Sequence, residues 1–126
     1  MKYQHKLEKE RMCPIEHGLE AFGGKWKARI ICVLSLSSAM RYKELKKELS
    51  NITDTVLASM LKDLIADNLI IRTQYNEIPP RVEYSLTDKG RSVLPILQSI
   101  CAWAKANTTR DLEAELPSCK SCSQLP

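Results

Sequence analysis

The chain has 126 residues, 44% of them hydrophobic and 27% charged, with a formal net charge of +4. That length suits one domain with a core of its own, and the composition is that of an ordinary globular chain, which argues against a disordered or fibrous protein. The positive excess is small and lies near the amino end: residues 1–30 hold seven Lys or Arg against four Glu, and residues 31–91 hold nine against eight acids. Charge therefore permits a nucleic-acid partner without arguing for one.

The densest apolar run, Ile30 to Leu34, is far shorter than the roughly 20 residues of a membrane span, so no membrane partner is expected. Residues 1–12 form a charged arm without the apolar segment of a secretory signal, which predicts a cytoplasmic protein. Cys13-Pro14-Ile15-Glu16 then opens a helix, because proline suits the first turn and the residue before it serves as cap. Ile15, Leu19 and Phe22 give that helix one apolar face. Gly23-Gly24 ends it. Lys25 to Leu36 reads as a second helix with apolar residues around its whole axis (Trp26, Ile30, Ile31, Val33 and Leu34 among them), which belongs at the centre of a core.

After the small polar stretch Ser35 to Ala39, Arg41 to Leu49 reads as a short helix with Leu45 and Leu49 four apart. Ser50-Asn51-Ile52-Thr53 breaks it, and Thr53 caps the next helix, Asp54 to about Asp67. Leu57, Leu61, Leu64 and Ile65 line one side of that helix, and Thr55, Ala58, Ser59 and Lys62 the other. Leu69 to Tyr75 and Arg81 to Leu86 are rich in β-branched and aromatic residues and flank Asn76-Glu77-Ile78-Pro79-Pro80, the pattern of a hairpin with a proline-stiffened tip. Thr87-Asp88 caps a last long helix, which Pro95 is expected to kink. From Thr108 onward the periodicity is lost.

The fold class expected is mainly α with a small antiparallel β-hairpin, a winged helix-turn-helix. Residues 13–107 form the folded domain, and residues 108–126 form a flexible tail with a Cys-x-x-Cys. Such a motif suits double-stranded DNA, because the major groove admits one helix while the preceding helix braces it against phosphates. Thr55, Ala58, Ser59 and Lys62 offer hydroxyls, a methyl group and a cation for base edges and phosphates, with Thr53 at the helix start. Arg41, Tyr42 and Lys43 stand at the entrance of the bracing helix. Arg72 and Arg81 lie in the hairpin, where Arg81, beside the tip, is the better placed for backbone or minor groove. Asp54 would repel phosphate unless paired.

The runs Cys13-Pro14-Ile15-Glu16, Gly23-Gly24-Lys25-Trp26-Lys27, Arg41-Tyr42-Lys43-Glu44-Leu45 and Pro79 to Thr87, followed by Gly90-Arg91, resemble the HxlR family of MarR-like regulators in order and spacing. The resemblance covers about residues 13–105. It implies a homodimeric winged-helix protein that represses or activates nearby genes from an operator that is a pseudo-palindrome. It also implies a dimer made by the first and last helices, through Leu19, Leu94, Leu97, Ile100 and Cys101. Where many relatives carry a basic residue early in the recognition helix this chain has Thr55, so the operator sequence does not carry over.

The cysteines are five, Cys13, Cys32, Cys101, Cys119 and Cys122, an odd number that argues against a disulfide framework. Cys13, at a helix start with Lys9 and Arg11 nearby and Glu16 opposing, sits where a thiolate is favoured. The resemblance implies redox sensing there, by alkylation or an intersubunit disulfide. Cys32 and Cys101 lie among apolar residues and are expected in the core. Cys119 and Cys122 have the spacing of half a zinc site or of a redox pair, but no second pair follows, and His5 and His17 share no ligand spacing, so no metal is expected. No cofactor or catalytic constellation is expected, and an enzyme is not. Two alternatives remain open: a regulator answering to a small molecule without thiol chemistry, and a winged helix that binds protein.

Overall fold

The computed structural model describes residues 13–108. The charged arm with His5, Lys9 and Arg11, and the tail with Cys119 and Cys122, lie outside the described residues. Helix α1 (Pro14–Phe22) starts as expected, with Cys13 at the N-cap and Pro14 in the first turn. It ends where Gly23 N–H returns to the Leu19 carbonyl at 2.8 Å and Gly24 takes φ +80°, a conformation that glycine adopts without a Cβ penalty. Helix α2 (Gly24–Ser35) follows. Its Ile30, Ile31, Val33 and Leu34 are buried, so the all-round apolar helix is the central one.

Helix α3 (Tyr42–Leu49) inserts Leu45 and Leu49 into that core. Ser50 and Asn51 both take positive φ, and buried Ile52 anchors the turn. Helix α4 (Asp54–Ala66) begins at Thr53, whose hydroxyl accepts the Val56 N–H at 3.2 Å. Leu57, Leu61 and Leu64 form its buried stripe. Its end is a Schellman motif: Asn68 has φ +60°, and the N–H groups of Asn68 and Leu69 return to the carbonyls of Ile65 and Leu64, with Leu64 and Leu69 both buried beneath.

Strands β1 (Ile70–Tyr75) and β2 (Arg81–Leu86) pair antiparallel from Ile70 opposite Leu86 to Tyr75 opposite Arg81. Sequence patterning did not anticipate a third element beside them. Met40 exchanges both backbone hydrogen bonds with Tyr84, at 2.9 and 2.7 Å, which pins the start of α3 to the hairpin. Lys27 makes a second long-range tie. Its side chain is only 15% exposed, pairs with Asp63 at 3.6 Å and donates to the Glu20 carbonyl at 3.1 Å, joining the end of α1 to α4 across α2.

The last helix is not one kinked rod. It divides into α5 (Asp88–Ser92) and α6 (Leu94–Ala106) around Val93. Pro95 has no N–H to return to Arg91 and its ring crowds that carbonyl. The chain therefore restarts with Pro95 in the first turn of α6. No helix among the described residues is long and apolar enough to cross a membrane.

Candidate nucleic-acid interface

The buried stripe of α4 leaves Thr55, Ala58, Ser59 and Lys62 exposed together on its outer side, at the i, i+3, i+4, i+7 spacing of one helix face. Thr53 is exposed too, with its oxygen engaged in the helix cap. Asp54, the residue whose charge opposed a phosphate partner, is paired. Lys46 Nζ lies 3.0 Å from its Oδ1, and the Tyr42 hydroxyl donates to the same carboxylate at 2.9 Å. The Lys46 ammonium, then the Tyr42 hydroxyl, holds the Asp54 carboxyl below the usual carboxylate range. Partial burial, then the bond to Asp54, pushes the Tyr42 hydroxyl up.

Tyr42 therefore ties α3 to α4 at the surface, locking the entrance of α3 onto the first residue of α4. The sequence contained no spacing rule that joins Lys46 and Tyr42 to Asp54, since the contact spans the turn between two helices. Its pH dependence follows from the direction of the shift. A carboxyl lowered in the folded state contributes stability above its unfolded value, near 3.9, and loses it as pH falls through the folded value. Tyr42→Phe or Lys46→Ala is expected to raise the Asp54 midpoint in a carboxyl NMR titration and to start acid unfolding at a higher pH. An unmoved midpoint in both variants would count against the triad.

Arg41 and Lys43 are exposed at the start of α3. The Arg41 N–H is bound by Glu44 Oε1 at 2.9 Å, and that leaves the guanidinium outside the helix cap. Arg41, Tyr42, Lys43 and Glu44 line an open groove closed on its far side by Val82 of the hairpin. Arg72 is exposed on β1 opposite Tyr84. By strand alternation it shares the hairpin face of Val82.

Arg81 differs from the expectation. Its Nε lies 2.9 Å from Glu77 Oε2, a close ion pair without a well-directed hydrogen bond. Its Nη1 lies 3.7 Å from Glu83, and its guanidinium sits 4.0 Å over the Tyr75 ring. These groups stand on one face because Tyr75 pairs with Arg81 and Glu83 with Thr73. The cation expected to reach a partner is instead held within the hairpin.

The thiols and the apolar helices also divide differently from the sequence pattern. Cys13 is exposed and donates to Glu16 Oε1 at 3.2 Å. Cys32 packs against the core as expected, but Cys101 is exposed, because the buried stripe of the last helix ends at Leu97. Leu97, placed on the dimer face by the family resemblance, is 5% exposed inside the protomer's own core, and Leu94 is partly buried against it. Leu19 and Ile100 are exposed, with Ile15, Ile96 and Trp103 beside them on the same two helices. Both helices pack on α2. Among the described residues no group of three or more metal-ligating side chains comes together.

Comparison with known proteins agrees with this architecture. The family model described as HxlR-like helix-turn-helix matches residues 21–112. An HTH-type transcriptional regulator of Halalkalibacterium halodurans is 44% identical over 105 residues, which are 83% of this chain and 93% of the relative. Among solved structures, the redox regulator HypR in its oxidized form is similar with a TM-score of 0.71 and 35% identity, over 78% of this chain and all of that one. The reduced form of the transcriptional regulator YodB from Bacillus subtilis is similar with a TM-score of 0.70 and 32% identity, over 78% of this chain and 96% of that one.

Proposed function

The chain belongs to the HxlR-like helix-turn-helix family of transcriptional regulators, and from that premise we propose that it is a cytoplasmic homodimer reading a pseudo-palindromic operator in duplex DNA. The observation that carries this reading is the outer face of α4. Thr55, Ala58, Ser59 and Lys62 are exposed there, while the one acid at the helix start is neutralised by Lys46. Placed in the major groove, that face meets base edges with short side chains, as Arg41, Lys43 and Arg72 meet phosphates. The exposed apolar residues of α1 and α6, Leu19 and Ile100 among them, support a dimer through these helices, and with it two half-sites about one helical turn apart. Residues 13–107 would carry both functions, with 1–12 as an arm and 108–126 as a tail.

Redox control through Cys13 is the finer element of the proposal. Its support is an exposed thiol at the N-cap of α1, the helix that bears some of the apolar face, together with the likeness to a protein described as a redox regulator. Diamide takes up two electrons and two protons as two thiols close a disulfide, so a change at Cys13 alters the dimer directly. Wild-type protein is expected to bind its own upstream region with an affinity that falls steeply with salt, and to change occupancy on diamide treatment. Cys13→Ser should bind equally well and ignore diamide. Negligible binding to every upstream fragment at low salt would sink the regulator reading, and an undiminished diamide response in Cys13→Ser would remove the thiol from it.

A further inference from the structure

The hairpin tip carries a surface that the reading above leaves unused. Residues 76–80 join β1 to β2, and the loop closes on itself where Glu77 N–H donates to the Tyr75 carbonyl at 2.9 Å. Ile78, at the apex, is fully exposed. The three loop residues beside it and the cation that follows them suit a phosphate poorly. Pro79 and Pro80 have no N–H to donate, Glu77 is negative, and the nearest cation, Arg81, is engaged by Glu77, Glu83 and the Tyr75 ring. A tip made to grip the backbone would instead present a free cation.

An isoleucine exposed in this way gains only when apolar surface covers it. The base of the hairpin is firmly held, which fixes the direction in which the tip projects. Thr87 N–H donates to the Leu69 carbonyl at 3.1 Å and Met40 pairs with Tyr84, while Lys89 Nζ donates to the Asp67 carbonyl at 2.8 Å, at the end of α4. Six residues per strand, at about 3.3 Å each, carry the tip roughly 20 Å from that base. In duplex DNA, apolar side chains such as isoleucine and proline enter the minor groove, wedge between stacked bases and kink the helix.

We propose that Ile78, backed by Pro79, is an apolar wedge that enters the minor groove beside the α4 contact and partly unstacks one base step. The proposal rests on the DNA-binding reading of α4 and adds a specificity determinant to it. Pyrimidine–purine steps unstack most easily, so the operator should carry one under each wing tip.

The test uses full-length protein and duplexes of its own upstream region, with 2-aminopurine placed at successive positions and a donor–acceptor dye pair on the ends. Wild type should raise 2-aminopurine fluorescence at one step flanking each α4 contact and bring the ends together. Ile78→Ser should lose both effects and about tenfold in affinity, close to 1.4 kcal/mol, with an unchanged salt slope because no phosphate contact is removed. Ile78→Leu should keep all three. Since Ile78 is fully exposed, neither change disturbs the fold. An undiminished fluorescence rise in Ile78→Ser overturns the wedge, as does a salt slope that falls with it, which would make the tip a phosphate contact. Absence of any wild-type complex overturns the DNA reading and the wedge together.

Discussion

Ala58→Glu is expected to abolish operator binding, with a loss of at least about 100-fold in affinity, near 2.7 kcal/mol, while the melting temperature stays within a degree or two. Ala58 is exposed in the middle of α4, flanked on its face by Thr55, Ser59 and Lys62. Glutamate is nearly as good a helix former as alanine, so the helix itself tolerates the change. In the complex, however, the new carboxylate would be driven against a groove edged by phosphates. It would lose its water without finding a partner there, and either effect alone is costly. Lys62 is the closest cation on the same face, one helical turn further on, and would partly offset the charge. An electrophoretic shift titration beside a thermal melt separates the two readouts. If Ala58→Glu bound the upstream region as wild type does, the outer face of α4 would not be the recognition surface.

Gly90→Ala is expected to act in the opposite manner, on the fold first and on DNA only through it. Gly90 is buried where α5 crosses the start of the hairpin, and a Cβ there would lie 2.1 Å from the Leu69 carbonyl oxygen and 3.2 Å from the Leu86 side chain. That carbonyl accepts the Thr87 N–H at 3.1 Å. The Thr87 hydroxyl in turn accepts the Gly90 N–H at 2.9 Å, so neither backbone can retreat without releasing the other. Forcing one methyl into this crossing should cost about 3 kcal/mol, at the upper end of overpacking effects. The corresponding fall in melting temperature is roughly 10–20 °C for a domain of this size. Calorimetry on the purified variant checks it, and a melting point within two or three degrees of wild type would mean that the helix and hairpin separate more easily than their contacts imply.

The two variants probe regions of the molecule that differ in how readable they were. Thr53, Thr87, the stripe Leu57-Leu61-Leu64 and the pairing of Leu69–Tyr75 with Arg81–Leu86 were legible because caps and periodicity are local. Each needs only the identities of residues within a few positions, and the elements formed where those identities placed them, with shifts of a residue at the ends. The exposure of Thr55, Ala58, Ser59 and Lys62 followed from the same rule, since burying one side of α4 leaves the other in solvent.

The sequence was less legible where a side chain had a choice of distant partners. Tyr42 was expected to face DNA with Arg41, and Arg81 ahead of Arg72. Yet Tyr42 turns to Asp54, twelve positions away, and Arg81 turns to Glu77, Glu83 and Tyr75 across the hairpin. Leu97 and Cys101 lie four apart on one helix, and the resemblance grouped them on the dimer face. The core ends between them, so one is buried and the other exposed. By itself, the sequence determined the kind, order and polarity of the elements and, through its motifs, the family. Only the tertiary structure decided which polar groups stay free for a partner and which apolar ones remain uncovered. Helix and strand formation are governed by neighbours along the chain, whereas a side chain is engaged or free according to what the fold brings beside it.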